Sequence, residues 1–228
     1  MLADDRYALL LRPQIAANLS AEQVAEAADA LSQQMALVPA GDVSLAPFVG
    51  GSIDDDRPRG ERLTHVAAAL LDRWPVTNGQ YKRFVDAGGY EQVALWDPVI
   101  FPAIFEFVDL SGQPGPRFWQ DGAFPAGEEN RPVVGVNWYE AEAYARWVGK
   151  RLPCDAEWVK AAAWPAPSSH GGRPTQRRYP WGDAWEPQMA NTWSAALGRT
   201  CDVAEFAAGA SLAGVYGLLG NVWEWTAD

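Results

Sequence analysis

The feature that most limits what this chain can fold into is its helix punctuation. Three times a hydroxyl or amide residue is answered by Gln or Glu three positions later: Ser20 and Gln23, Thr77 and Gln80, Asn137 and Glu140. In such a capping box each side chain satisfies a backbone N–H that the first helical turn leaves without a partner. Apolar residues then fall at helical spacing: Val24, Ala27, Ala28, Leu31 and Met35 in the first segment, Tyr81, Phe84 and Val85 in the second, Ala141, Tyr144, Ala145 and Val148 in the third. Stops follow quickly. Gly88-Gly89 closes the second, and Gly149 with Pro153 closes the third. Short helices are therefore predicted, with residues 1–36 reading as helical and broken at Pro13. Another helix is predicted in CDAEWVKAAAW, where Cys154 stands at the cap and Glu157 three residues on. A helix N-terminus favours a thiolate, which would make Cys154 mildly reactive; the plainer reading is a small residue tolerated at a cap.

Between the helices the pattern changes. ALVPAGDVSLAPF and LTHVAAALLDRWPV read as strands, the first with a Pro-Ala-Gly turn inside it. Residues 91–130 read as a loop packed through Trp96, Phe101, Phe118 and Trp119, and residues 164–200 as a second loop. The last third is predicted to end in short strands after the glycine-rich turn GVYGLLGN. Twelve tryptophans supply indole area for pinning such loops, each N–H wanting an acceptor. There is no βαβ alternation and no GxGxxG, which argues against a wound, nucleotide-binding sheet. The predicted class is α+β.

A formal net charge of −11 without a basic run excludes the usual footprint for nucleic acid or an anionic membrane. The N-terminus, with early aspartates and a four-residue apolar run, reads as neither a signal peptide nor a membrane span. Cys154 and Cys201 have no zinc or CxxC spacing, and two free thiols point to a cytoplasmic protein. Asp54-Asp55-Asp56 reads as a solvated loop tip that could invite a cation, and His65 as a hydrogen-bonded structural histidine.

Four stretches, PVTNGQYKRFVDAGGY, RPVVGVNWYEAEAYARWVGKRLPCDAEWVKAAAW, YPWGDAWEPQMANTW and GLLGNVWEWTAD, occur in order after an opening MALVPAGD. Together they resemble the formylglycine-generating enzyme family, the sulfatase-modifying factors, over about residues 35–228, with residues 1–34 as a separate helical segment. The resemblance implies a C-type-lectin-like fold. It implies an oxidase that converts a sulfatase cysteine to formylglycine with oxygen and copper held by two cysteines. Relatives in this family include iron-dependent sulfoxide synthases of thiol-histidine biosynthesis, domains without shown chemistry, and retroelement-diversified display proteins.

That resemblance places the copper-binding cysteine pair and the closing strands downstream of GNVWEW, so the expectation is that the C-terminal strands of the fold are missing from this sequence. Cys154 and Cys201 match neither cysteine position, no catalytic residue is assigned, and copper is not expected in this chain alone. Structural calcium is implied at two places. One uses the Asn191 side chain and the Thr192 carbonyl, with Ala195 where a further acid would stand; the other uses the Gly220 and Val222 carbonyls and the Glu224 carboxylate, with Gly217 where a side-chain ligand would stand. The alternative for Glu224 is an ion pair with Arg177 or Arg178. Strand alternation puts Trp223 and Trp225 on one face, predicted to enter the core, and Glu224 on the other. The functions that follow are protein-cysteine oxidation if a C-terminal part is supplied, by another polypeptide for instance, or a non-catalytic module for a ligand, protein or peptide.

Overall fold

The structure, a computed structural model, describes residues 17–45, 63–163 and 176–228. The expectations for Pro13 and Asp54–Asp56 lie outside the described residues. Helix α1 (Ala21–Gln34) runs into strand β1 (Met35–Val38) and then β2 (Gly41–Ser44). Strands β3 (Leu63–Val66) and β4 (Ala69–Asp72) follow, then helices α2 (Asn78–Asp86), α3 (Trp138–Trp147) and α4 (Asp155–Ala162). Two antiparallel ribbons result, β1 with β4 and β2 with β3. In the first, Met35 pairs with Asp72 and Val38 with Ala69; in the second, Gly41 pairs with Val66 and Ser44 with Leu63. Each stretch read as one strand is thus two, broken at Pro39-Ala40 and at Ala67-Ala68.

The capping boxes form as read. The Thr77 N–H donates to Gln80 Oε1 at 2.9 Å, and Gln80 N–H to Thr77 Oγ1 at 3.2 Å. The Asn137 N–H donates to Glu140 Oε2 at 2.7 Å, and Glu140 N–H to Asn137 Oδ1 at 3.0 Å. At α4 the Cys154 N–H donates to Glu157 Oε2 at 2.9 Å. Each cap sets where a helix begins, and so which face turns inward.

Helices α2 and α3 share an aromatic core. Tyr81 stacks on Tyr144 with ring centres 5.3 Å apart, and Phe84 meets Tyr144 edge-on at 5.9 Å. Trp96 and Trp119 are buried beside them, their indole N–H groups donating to Gly89 O at 3.0 Å and Asn78 Oδ1 at 3.3 Å. Phe118, expected to pack, is exposed instead, because its neighbour Trp119 takes the inner place. A second cluster joins Ala36 and Val38 of β1 to Ala161 and Ala162 of α4 and to Val215 and Leu218. A third joins Val43 and Val66 to Ala156.

The final third differs from its expectation. Among the described residues it holds no strand; short 3₁₀ turns at Pro187–Met189, Trp193–Ala195 and Ala207–Gly209 take that place. Asn221, at φ +63, ties the segment down: its Oδ1 accepts from the Cys201 N–H and from Asn191 Nδ2, both at 2.9 Å, and its own N–H donates to the Asn191 carbonyl at 2.8 Å. Gly220 makes this approach possible. A Cβ there would lie 2.5 Å from the Asn191 carbonyl oxygen, and its φ is +79°. Only a residue without a side chain fits.

Candidate functional site

The residues that the sequence singles out near the C-terminus border a cavity of about 490 Å³. Val38, Val66, Leu70, Val76, Val148 and Val222 give it apolar walls. Trp74 stacks on Tyr216 at 5.4 Å, and both face it. Lys150 pairs with Asp72 at 2.5 Å, and Arg151 with Glu157 at 2.6 Å; all four line the cavity. The Arg151 hydrogen bond is the main reason the Glu157 carboxyl is held down at about 2.

The expected direction of the last segment is reversed. Trp223 is fully exposed, with a relative exposure of 101%, and Trp225 is half exposed at 50%. The carboxylate between them points in. Its Oε2 accepts from Trp158 Nε1 at 3.0 Å, while its Oε1 is out of contact with solvent and has no partner. Burial pushes Glu224 up to about 7, against the opposing hydrogen bond from Trp158. The physical reason is anchoring. Trp225 Nε1 donates to Val136 O at 3.1 Å, and Trp138 Nε1 donates to Thr226 O at 2.7 Å. These bonds fix the segment at Trp225 and Thr226, while the Trp158 indole N–H holds Glu224 from within. Neither Arg177 nor Arg178 pairs with Glu224; the Arg178 N–H donates to Asp183 Oδ1 at 3.0 Å.

Two atoms on this cavity are orphaned: the acceptor Glu224 Oε1 and the donor Trp74 Nε1. Gly217 brings their neighbourhoods together. A Cβ on it would lie 2.9 Å from Pro75 Cγ and 4.0 Å from Glu224 Oε1. Its bare Cα leaves that oxygen uncapped. Trp74 and Trp158 carry no sequence signal for this role, since Trp158 meets Glu224 across 66 positions of chain.

The backbone around the cavity is also incompletely paired. Seven consecutive residues, 66–72, line it. Four of them, 69–72, make up β4, whose side chains alternate between faces, so the cavity borders residues of both faces of that strand. Strand β4 has β1 on one side only. Because Arg73 N–H donates to Gln34 O toward β1, the alternate residues Leu70 and Asp72 present their backbone away from it. Residues 222–225 line it too, and among the described residues the peptide groups of Trp223, Glu224 and Trp225 have no backbone partner.

The expected ligand sets fare differently. Asn191 Nδ2 donates to Arg199 O and Asn221 Oδ1, and the Thr192 carbonyl accepts from Ala195 N–H. Position 195, where the resemblance puts an acid, is alanine, and the Thr192 hydroxyl is buried without a partner. At the second place the orphaned Glu224 Oε1 fits a cation. The Gly220 carbonyl, however, accepts from the Val222 N–H at 2.8 Å, and Gly217 offers no side chain. Cys154 and Cys201 are both free, Cys154 beside the Val43–Val66 cluster and Cys201 against Asn221. His65 hydrogen-bonds to Asp42 Oδ1 at 2.8 Å. Among the described residues no helix is long and apolar enough to cross a membrane.

Comparison with known proteins agrees with the motifs. The family model for the sulfatase-modifying factor enzyme 1-like domain matches residues 20–228. A hercynine oxygenase of Mycobacterium tuberculosis is 40% identical over 189 residues, covering 77% of this chain and 40% of that protein. One from Mycolicibacterium thermoresistibile is 40% identical over 198 residues, covering 80% and 42%. A formylglycine-generating enzyme of Thermomonospora curvata is 31% identical over 227 residues, covering 87% and 72%. The chain spans about two fifths of the length of these hercynine oxygenases. With the family model covering nearly all of it, this α+β chain belongs to the sulfatase-modifying factor family.

Proposed function

We propose that this chain is the binding body of an oxygen-using enzyme of the hercynine oxygenase kind, and that a further polypeptide segment completes it. The observation that carries this is the cavity of about 490 Å³, lined both by β4, which among the described residues pairs with β1 alone, and by residues 223–225, whose peptide groups have no backbone partner there. Unpaired edges beside apolar walls are the features by which one polypeptide adds a strand to another. In this reading the remainder of a C-type-lectin-like fold, including the strands expected beyond GNVWEW, seats here, and the ligands of the redox metal come with it. The greater identity to hercynine oxygenases than to the formylglycine-generating enzyme of Thermomonospora curvata favours that kind of chemistry. Protein-cysteine oxidation is the second reading, supported by that same enzyme, which this chain covers over 72% of its length. A non-catalytic module for a ligand or protein is a third, supported by Trp193 and Trp223, which stand fully exposed on segments tied together through Asn191 and Asn221. Two free thiols support a cytoplasmic setting.

The test is complementation. Residues 1–228 are assayed with iron or copper, oxygen, and either hercynine plus a thiol or a sulfatase-type cysteine peptide. No product is expected from the chain alone. Product is expected when the chain is co-expressed with the part of the Mycobacterium tuberculosis hercynine oxygenase outside the matched region. Turnover by the chain alone would contradict the reading.

Glu224 is proposed to hold a cation in the completed protein, because an orphaned buried carboxylate oxygen costs about 1–3 kcal/mol or more. Calcium is the inorganic candidate, with the Gly220 and Val222 carbonyls as its further ligands in this reading; bound, it would neutralise the carboxylate and fix the 217–224 turn. A calcium ion held there raises the melting temperature of the wild type and not of Glu224→Ala. The same rise in both would remove calcium from this position.

A further inference from the structure

We infer that Glu140, Tyr90 and Tyr81 form a proton-controlled switch: the hydrogen bonds joining them reverse direction when Glu140 gains or loses its proton, and the cap of α3 passes that state to the last segment.

The geometry is a closed loop of oxygens. Tyr90 Oη lies 2.6 Å from Glu140 Oε1, the Tyr81 and Tyr90 hydroxyls are 3.2 Å apart, and Tyr81 Oη lies 3.5 Å from the Glu140 carbonyl oxygen. All three residues are buried, so the loop must satisfy itself. Three contacts need three protons. An ionised Glu140 leaves two, both on phenols. Tyr90 then donates to Oε1, and Tyr81 donates to Tyr90 Oη or to the carbonyl, so one contact stays empty. A neutral Glu140 supplies the third proton. Its Oε2 already accepts from the Asn137 N–H at 2.7 Å, so the acid proton belongs on Oε1, where a phenol oxygen faces it. Tyr90 then turns its own proton to Tyr81, and Tyr81 turns its proton to the carbonyl. Every contact is filled, and the bonds between side chains run the other way.

Among the described residues no fixed charge holds Glu140 in one state. The titratable groups facing it are Tyr81 of α2, Tyr90 of the turn after α2 and, stacked on Tyr81, Tyr144 of α3. Lys82 pairs with Asp86 on α2, and Arg146 with Glu142 on α3. Burial pushes the acid up to about 7 against the bonds from Tyr90 and Asn137, which puts the change of state near neutral pH.

The output runs through Oε2. Its bond from Asn137 closes the N-terminal cap of α3, and a carboxylate is the stronger acceptor. The residues on either side of Asn137 hold the last segment: Val136 O accepts from Trp225 Nε1, and Trp138 Nε1 donates to Thr226 O. Loss of the proton tightens the cap between those two anchors.

Nuclear magnetic resonance of the full chain reads each part. In the wild type, the Asn137 amide and the phenol carbons of Tyr81 and Tyr90 are expected to shift together, with one midpoint of about 7. Tyr81→Phe keeps the ring and removes the end of the loop. The neutral state then leaves the Tyr90 proton without an acceptor, so the Asn137 midpoint should fall by about one pH unit or more. Glu224 is a second buried acid, next to Trp225, so the output is read in Glu224→Gln. There the Trp138 and Trp225 indole N–H signals should follow the Asn137 midpoint, and adding Glu140→Gln should flatten them. Flat Asn137 and phenol signals in the wild type overturn the switch and need no variant to be read. An unmoved midpoint in Tyr81→Phe overturns the reversal. Indole signals that stay flat in Glu224→Gln, or still titrate once Glu140→Gln is added, overturn the link to the last segment.

Discussion

Glu140 is a carboxylic acid placed inside an aromatic core. It accepts from the Tyr90 hydroxyl at 2.6 Å and from the Asn137 N–H at 2.7 Å, and Tyr90 in turn meets the Tyr81 hydroxyl at 3.2 Å. Burial pushes Glu140 up to about 7 despite these bonds, from an ordinary value of 4.5, and both phenols are held well above their usual range by the same burial. The sign follows from proton binding. Between 4.5 and about 7 the folded chain holds a proton that the unfolded chain has released, so stability falls as pH rises through that window and then levels. The loss attributable to this group is on the order of 3 kcal/mol. Glu140→Gln should melt higher than the wild type at pH 8 and show a flatter pH dependence between 4 and 8; Tyr90 can turn to accept from the amide. Thermal melts across that range check it, and an unchanged slope would mean that Glu140 is charged in the core. Asp109 shows the opposite balance. Burial raises it, but bonds from Ser111, Gln113 and Gly122 prevail and hold it below the usual carboxylate range.

At the scale of elements, the helices were legible and the last segment was not. Capping boxes at Ser20, Thr77 and Asn137 are local codes, read from side chains three apart, and tertiary contacts did not overrule them. Of the inward stripe read for α3, Tyr144, Ala145 and, just past its end, Val148 are buried, while Ala141 is half-buried and Ala143 is buried in its stead. On α1, by contrast, Ala27 is buried while Val24 is exposed. The final segment misled because its reading ranked residues by hydrophobicity. Two indoles and a carboxylate alternate there, and burying the indoles looked cheaper. What decided the matter was distant: Val136 and Trp138 hold the segment from outside, and Trp158 offers Glu224 a donor from within. None of these partners is near in sequence. The turn before it was nearer to legible, as GLLGN announces its glycines. Gly220→Ala should cost about 1–3 kcal/mol, because its Cβ would strike the Asn191 carbonyl at a φ of +79°. A denaturant melt measures that loss, and a wild-type midpoint would show that the 191–221 contact yields freely.

For the whole molecule, two small ribbons and short helices leave much of the architecture to loops pinned by aromatic rings. Such a body can hold a cavity open because its walls belong to separate elements. β4, the 149–153 loop that follows α3 and the last segment all contribute to its lining. Family membership was readable from ordered motifs; the cavity was not, since it exists only where segments far apart in sequence meet. The account claims that the two edges along this cavity are unpaired in the chain as it stands and are paired when a segment docks. Site-resolved amide hydrogen exchange of residues 1–228 tests that most directly. The amides of Trp223, Glu224 and Trp225 and that of Leu70 should exchange at close to unprotected rates in the free chain, while Leu71 and Arg73, facing β1, exchange slowly. Strong protection of the 223–225 and Leu70 amides before anything is added would contradict the account.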